Sequence, residues 1–585
     1  MEVRCKLEPK DPLVCVRKKC CNEKIKYASE FCKDSYQQFL SRHTYLIECG
    51  TGKGKSYMIS KIIIPKAYWD KKKVLLLVNR AKLKDQYDKD MSNIVYEGLV
   101  NFNPCTHSLR NLYDHSLLII TYQNLESELA NNLECTLKKL DKYDIIIADE
   151  IHYILKDATF NPSTRLSAET LLMYLAQKTR YFLSATMENL KPIIFRPNKI
   201  MKPIFTSEER YMDICYEKHN YEENVYNRAA IYYEYVMPQD YSYINVHYYR
   251  NEDVIIDYIA NSSSSDKWLY FVSGKAKGRE IADKINKKYI EVRGKDYGKI
   301  ASFISAEYRN ENEKEMQEVM DEITDKEDVN AKVIVTTSVL DNGINLKSKE
   351  LLHVVINTDN KTSFIQMLGR KRLLTNEDKV NLYISANGIN FFENRVKKIE
   401  NTLDIINQVS HAEFDRYMTK NMLSKESSSN AFRTVAFFMT EYVNNTARAY
   451  YRISELSIHQ LQLMYKNYQE IIEKLNNDEN AFIYEQLSWI GLQYDETKWL
   501  CDTSREQKKV KVDYILSRYE NRVLNEDEFE QMLEEIKPIL RTVDSTIRSN
   551  RISIPKVNSA LTELASQFVI DKERRYVHKK DDETC

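Results

Sequence analysis

The chain has 585 residues, 43% hydrophobic and 29% charged, with 86 Lys+Arg against 86 Asp+Glu. That mixture excludes wholesale disorder and predicts two to four domains of ordinary globular size, while a zero formal charge still leaves room for a basic groove balanced by acidic faces. No apolar run reaches the ~18 residues of a membrane span, and the opening MEVRCKLEPK lacks the apolar core of a secretory signal. The expectation is a cytoplasmic protein with no membrane partner.

Residues 1–40 form a basic segment holding five of the eleven cysteines: Cys5, Cys15, Cys20, Cys21 and Cys32. No C-x2-C pair occurs among them, so scattered thiols are expected, with zinc binding left as the alternative. From Thr44 the pattern changes to short Leu- and β-branched-rich runs: TYLIE (44–48), VLLLV (74–78), LLIIT (117–121), DIIIA (144–148) and RYFLSA (180–185). Uninterrupted runs separated by helical patterns predict strands buried on both faces of a parallel sheet. Residues ~190–245, Tyr-rich and carrying Pro192, Pro197, Pro203 and Pro238, are expected to be a strand-poor linker. A second block repeats the logic with KWLYFVS (267–273), KVIVTT (332–337), HVVINT (353–358) and LYISA (382–386).

Beyond ~395 the composition turns helical. No proline lies between Gln239 and Lys537, no glycine follows Gly491, and segments 461–475 and 529–543 space apolar residues by three and four. The predicted fold class is therefore α/β, with two tandem parallel-sheet lobes followed by an α-helical C-terminal domain. Tyr450 and Tyr451, flanked by Arg448 and Arg452, could stack on bases or fill a core.

Glycine is scarce, 12 in all, yet Gly50, Gly52 and Gly54 fall within five residues. They sit in ECGTGKGKS, between a strand and a helical stretch. Such a loop (Gly50, Thr51, Gly52, Lys53, Gly54) lets backbone amides reach phosphate oxygens, Lys55 supplies a cation for the β/γ-phosphates, and Ser56 a hydroxyl for Mg²⁺. The strict pattern would want glycine at Cys49. In DIIIADEIH (144–152) a buried strand ends in Asp149 and Glu150, one carboxylate to hold Mg²⁺ and one to polarise an attacking water.

These two motifs together resemble superfamily 2 helicases, whose remaining motifs also appear in order over residues ~34–390. DEIH is similar to the DEAH/DExH motif II, and Ser184-Ala185-Thr186 to the S-A-T of motif III. VLLLVNRAKLKDQ resembles motif Ia and IITYQNLES motif Ic. YFVSGKAKG, TTSVLDNGINL and QMLGRKR resemble motifs IV, V and VI. The resemblance implies two RecA-like lobes (41–245 with its linker, 246–395), an accessory domain (396–585), and ATP and Mg²⁺ bound between the lobes. It implies Glu150, Lys55, Arg370 and Arg372 as catalytic residues, with Gly343 beside the nucleotide. His152, Ser184, Thr186 and Gln366 would couple the lobes, and Arg80, Thr121, Gly274 and Thr337 would touch nucleic acid. Motif V has Asn345 where relatives carry Asp, and motif VI places its second arginine one position early, at Arg372.

The implied function is an ATP-dependent helicase, DNA favoured over RNA, with protein partners reached through the helical domain. A double-stranded DNA translocase and a non-motor nucleic-acid scaffold stay open as alternatives.

Overall fold

The computed structural model describes residues 3–4, 14–21, 25–80, 84–85, 87–88, 116–206, 230–263, 265–294, 298–305, 313–326, 328, 330–337, 346–375, 378–407, 432–443, 446–500, 503–540, 553–571 and 575–579. Its first sheet contains β1 (Val3–Arg4), β2 (Val14–Cys20), β3 (His43–Glu48), β4 (Val74–Val78), β5 (Leu117–Thr121), β6 (Ile145–Ala148), β7 (Thr179–Ser184) and β8 (Ala230–Val236), in the order β1-β2-β8-β3-β7-β6-β4-β5. Every pairing is parallel except β1 with β2. The central strands β4, β6 and β7 are buried along their whole length. That accounts for sequences with no polar alternation.

Two strands of this sheet depart from expectation. β2 comes from the basic N-terminal segment, and β8 from the stretch expected to be a strand-poor linker. β8 lies between β2 and β3. Its sequence AIYYEYV has no clean two-residue alternation: Tyr232 and Tyr235, both buried, stand three positions apart and enter the two opposite cores of the sheet. Cys20 is exposed and Cys32 buried, and the described residues contain no metal-ligating group of His, Cys, Asp or Glu. Cys5 lies outside the described residues.

The second sheet runs β11-β12-β10-β13-β14-β9, from β9 (Ile244–Tyr249), β10 (Lys267–Phe271), β11 (Ala301–Ile304), β12 (Val333–Thr336), β13 (Leu351–Ile356) and β14 (Val380–Ser385). The four inner pairings are parallel. Both lobes are thus α/β units with parallel sheets, and the motif loops leave the C-terminal ends of their strands.

Residues 432–496 then pack on both lobes. The helix Glu455–Asn477 is capped by the Ser454 hydroxyl, which accepts from the Ser457 amide. Its Ser457 hydroxyl donates to the Ala158 carbonyl at 2.6 Å, and its Tyr468 hydroxyl donates to Asp359 at 2.8 Å. Arg165, fully buried, pairs with Glu169 at 2.9 Å and with Glu455 at 3.1 Å. Glu169 also accepts the backbone amides of Ile204, Phe205 and Thr206. Removing one partner of a buried pair leaves the other uncompensated. Glu169→Ala should therefore cost about 3–5 kcal/mol, read as a lowered denaturation midpoint. An unchanged midpoint would show that Glu455 alone satisfies Arg165.

The C-terminal third is mainly helical and also carries two hairpins. Tyr450 and Tyr451 lie on a strand, Thr446–Ile453, paired antiparallel with Ala436–Val443. Alternation sends the two rings to opposite faces, Tyr450 against the first-lobe core and Tyr451 against the cluster around Phe392 and Ile453. Both rings are packing groups.

Residues 249–260 and 497–585 make a separate compact unit. Its core is built from Val512, Leu516, Met532, Ile536, Val557, Leu561 and Phe568, drawn from three helices and a short hairpin. No helix among the described residues is long and apolar enough to cross a membrane.

Candidate active site

The loop after β3 is shaped by its glycines. Gly52 and Gly54 both take φ of +79°, a left-handed conformation that side chains disfavour. The helix that follows runs from Lys55 to Trp69, its middle (Met58–Ile63) wound as π-helix. Pro65 removes one amide from the ladder there, and a wider turn absorbs the defect. Cys49 replaces the expected glycine at no visible cost. Its side chain is buried in the apolar cluster of β3 and β7, and its carbonyl accepts from Lys55 Nζ at 3.1 Å.

Lys55 is 9% exposed and lies 3.4 Å from Glu150 Oε1. Burial opposes its charge, but Glu150 and then neighbouring groups outweigh burial and hold its pKa above the ordinary lysine value. Glu150 has φ of +53°, uncommon for a residue with a side chain, and such backbone strain clusters at functional sites. Burial would raise the Glu150 pKa, but the charge of Lys55, then the His152 ring beside it and the charge of Arg370, hold the carboxyl below its usual range. Asp149 moves the other way. Its burial, and then the adjacent Glu150 charge, raise its pKa. One carboxylate is thus held as a ready base beside a cation, and the other is short of positive charge.

A divalent cation fits that second position. Asp149 and Ser56 offer oxygen donors, the ligand type Mg²⁺ selects, and the Tyr87 hydroxyl donates to Asp149 Oδ2 at 3.0 Å. When bound, Mg²⁺ would neutralise charge across the β- and γ-phosphates of a nucleotide.

The second lobe meets this loop directly. A Cβ built on Gly52 would come 2.9 Å from Arg372 Nη1, and one on Gly369 would overlap the Thr51 side chain. Arg370 is 4% exposed, and Glu150 and His152 both feel its charge. The early position of Arg372 has a simple cause. Leu346 bridges Lys371 in parallel, exchanging backbone bonds with Arg370 and Arg372 at 2.9 Å. In this extended piece residues i and i+2 share a side, so both arginines face one way while Lys371 turns back to the Ser348 carbonyl. Gly343 lies outside the described residues.

The four expected coupling residues form one hydrogen-bonded chain. Lys156 Nζ donates to Gln366 Oε1 at 3.0 Å, which fixes the amide so that Gln366 Nε2 donates to His152 Nε2 at 2.7 Å. His152 must then carry its proton on Nδ1, which donates to Ser184 Oγ at 3.0 Å. Ser184 in turn donates to the Thr186 carbonyl at 2.7 Å, and the Thr186 hydroxyl meets that of Thr362 at 2.7 Å. Lys156, Thr362 and Tyr87 were not identified from the sequence. Only Tyr87 had a local signal, as the aromatic just after the motif Ia run.

Burial pushes the His152 pKa down to about 3, with Glu150 opposing. The unfolded chain takes up this proton near the ordinary 6.5, so His152 contributes stability that is full above pH 6.5 and lost as pH falls toward 3. The expected slope is about 1.4 kcal/mol per pH unit. Asp149, with a raised pKa, contributes the opposite sign in part of that window. Comparing wild type with His152→Gln between pH 6.5 and 4.5 isolates the histidine, and parallel denaturation curves would rule it out as the source.

The residues expected to touch nucleic acid are less uniform. Arg80 follows β4, Gly274 opens the helix Lys275–Arg293 after β10, and Thr337 follows β12, all at C-terminal strand ends. The Thr121 hydroxyl is buried and caps the helix Tyr122–Asn131, accepting from the Asn124 amide at 3.2 Å, which leaves its own proton to donate.

Residues 22–189 match the family model of the type III restriction enzyme res subunit. The match covers most of the first lobe. No curated protein matches the chain significantly. Similar solved structures include the Mycobacterium smegmatis helicase Lhr bound to ssDNA and AMP-PNP (15% identity, TM-score 0.38, 60% of this chain, 45% of that one). Saccharomyces cerevisiae Dbp5 bound to RNA and ADP BeF3 gives 14% identity and TM-score 0.38 over 58% of this chain and 78% of that one. The DUF1998 helicase MrfA bound to DNA and AMPPNP gives 12% and 0.38 over 66% of this chain and 52% of that one. The chain thus spans about half the length of Lhr and MrfA. Scores this low carry no argument, and the functional reading is drawn from the motif geometry and the family match of residues 22–189.

Proposed function

We propose that this protein is an ATP-driven nucleic-acid motor that translocates on, and unwinds, DNA in preference to RNA. Its parts are lobe 1 (41–245), preceded by the basic segment 1–40, lobe 2 (246–395) and the accessory region 396–585. The observation that carries the reading is the approach of the second lobe to the Lys55 loop, with Arg372 Nη1 beside Gly52 and Gly369 beside Thr51, while the charge of the adjacent Arg370 bears on Glu150. A nucleotide bound there would be held by the Gly50–Ser56 loop and Lys55, while Glu150 accepts a proton from the attacking water. Arg370 and Arg372 would stabilise the charge on the transferring phosphoryl group. The His152–Gln366 chain would carry the nucleotide state from lobe 1 to lobe 2, and Arg80, Gly274 and Thr337 would grip phosphates without reading sequence.

A second reading, translocation on duplex DNA without strand separation, is favoured by the restriction-enzyme res-subunit match of residues 22–189. Release of a labelled strand from 3′- and 5′-tailed DNA and RNA duplexes supports unwinding. Displacement of a third strand from intact duplex DNA, without strand release, supports the second reading.

Glu150→Gln keeps the shape and loses the base. It should bind ATP, slow hydrolysis by about 10²–10⁴-fold and hold nucleic acid longer. Normal turnover by this variant would mean that another group activates the water.

A further inference from the structure

We infer that Tyr87 is a positioning residue for the metal site, holding Asp149 Oδ2 in place through its hydroxyl. This rests on the nucleotide-hydrolase reading above and assigns a role to a side chain outside the motifs that carry that reading. The Tyr87 ring is 1% exposed and packs in the cluster that holds Met58, Val78 and Ile147, so the ring cannot swing. A phenol has one proton to give. Tyr87 gives it to Asp149 Oδ2 at 3.0 Å. Asp149 Oδ1 is meanwhile fixed by the Glu150 amide at 3.1 Å, and the Asp149 carbonyl by the Tyr122 hydroxyl at 3.1 Å.

Each oxygen of Asp149 therefore has one lone pair committed to a rigid donor and the rest free for a cation. Partners of this kind fix the orientation of metal ligands, and their loss typically costs about 10–100-fold in metal affinity or activity. A tyrosine that only filled the core would need no hydroxyl here, and phenylalanine would serve as well.

The test is calorimetric binding of AMP-PNP to the full chain with and without Mg²⁺, for wild type, Tyr87→Phe and Lys55→Ala. In wild type Mg²⁺ should tighten binding. In Tyr87→Phe that Mg²⁺-dependent gain should fall by about 10–100-fold, while the Mg²⁺-free affinity and the circular dichroism spectrum stay at wild type. Tyr87→Met, apolar and able to fill the same space, repeats the measurement should the Phe variant misfold. In an Asp149→Asn background, Tyr87→Phe should cost nothing further. A Tyr87→Phe protein with the full wild-type Mg²⁺ gain overturns the assignment and leaves the hydrolase reading intact. Wild type indistinguishable from Lys55→Ala, with no Mg²⁺-dependent binding at all, overturns the hydrolase reading and this assignment with it.

Discussion

Arg370→Ala should slow nucleic-acid-stimulated ATP hydrolysis by about 10³–10⁵-fold while changing ATP affinity little. Arg370 is buried and felt electrostatically by Glu150, although it belongs to the other lobe. Its planar guanidinium can offer several donors to the charge that develops on the phosphoryl oxygens, an interaction worth far more in the transition state than in the ground state. The loss should therefore fall on kcat. Arg372, whose Nη1 lies beside Gly52, should behave the same way. Lys371→Ala should not, since that amine is engaged with the Ser348 carbonyl inside its own lobe. Turnover of Arg370→Ala within about tenfold of wild type would remove it from the reaction.

Lys55→Ala should reduce hydrolysis by at least about 10²–10³-fold, the usual loss when one preorganised donor to developing charge is removed. The substitution deletes the cation for the β/γ-phosphates and leaves Glu150, now 3.4 Å from that ammonium, without its main counter-charge. The Glu150 pKa should rise as a result, because Lys55 is the leading influence opposing its burial. The variant's residual activity should therefore shift its acidic limb to higher pH. Wild-type turnover in a folded Lys55→Ala protein would exclude this loop as the phosphate site.

Much of this was legible in the sequence because it depends on local pattern. Pure apolar runs gave β4, β6 and β7, and the glycine cluster marked the loop whose φ values need glycine. The two acidic residues after β6 emerged at the strand end where a parallel sheet places its ligands. What stayed hidden depends on tertiary pairing. β8 is a strand because β2 and β3 flank it, and nothing local in AIYYEYV announces that position. Arg372 looked displaced because the motif was counted in residues, whereas its direction is set by the bridge between Leu346 and Lys371. The resemblance marked Thr121 for nucleic acid, but its second task, capping the helix it begins, is visible only in the fold. Tyr87 could be suspected only as an aromatic near motif Ia, since its partner Asp149 lies 62 residues away in the chain.

ATP hydrolysis by the purified full chain, measured alone and with single-stranded DNA, single-stranded RNA and duplex DNA, decides whether this protein is a nucleic-acid motor. A motor should hydrolyse slowly alone and many-fold faster on its track, with single-stranded DNA the strongest stimulant and Lys55→Ala as the blank. A rate that none of the three nucleic acids changes, or one no higher than the Lys55→Ala blank, would contradict it.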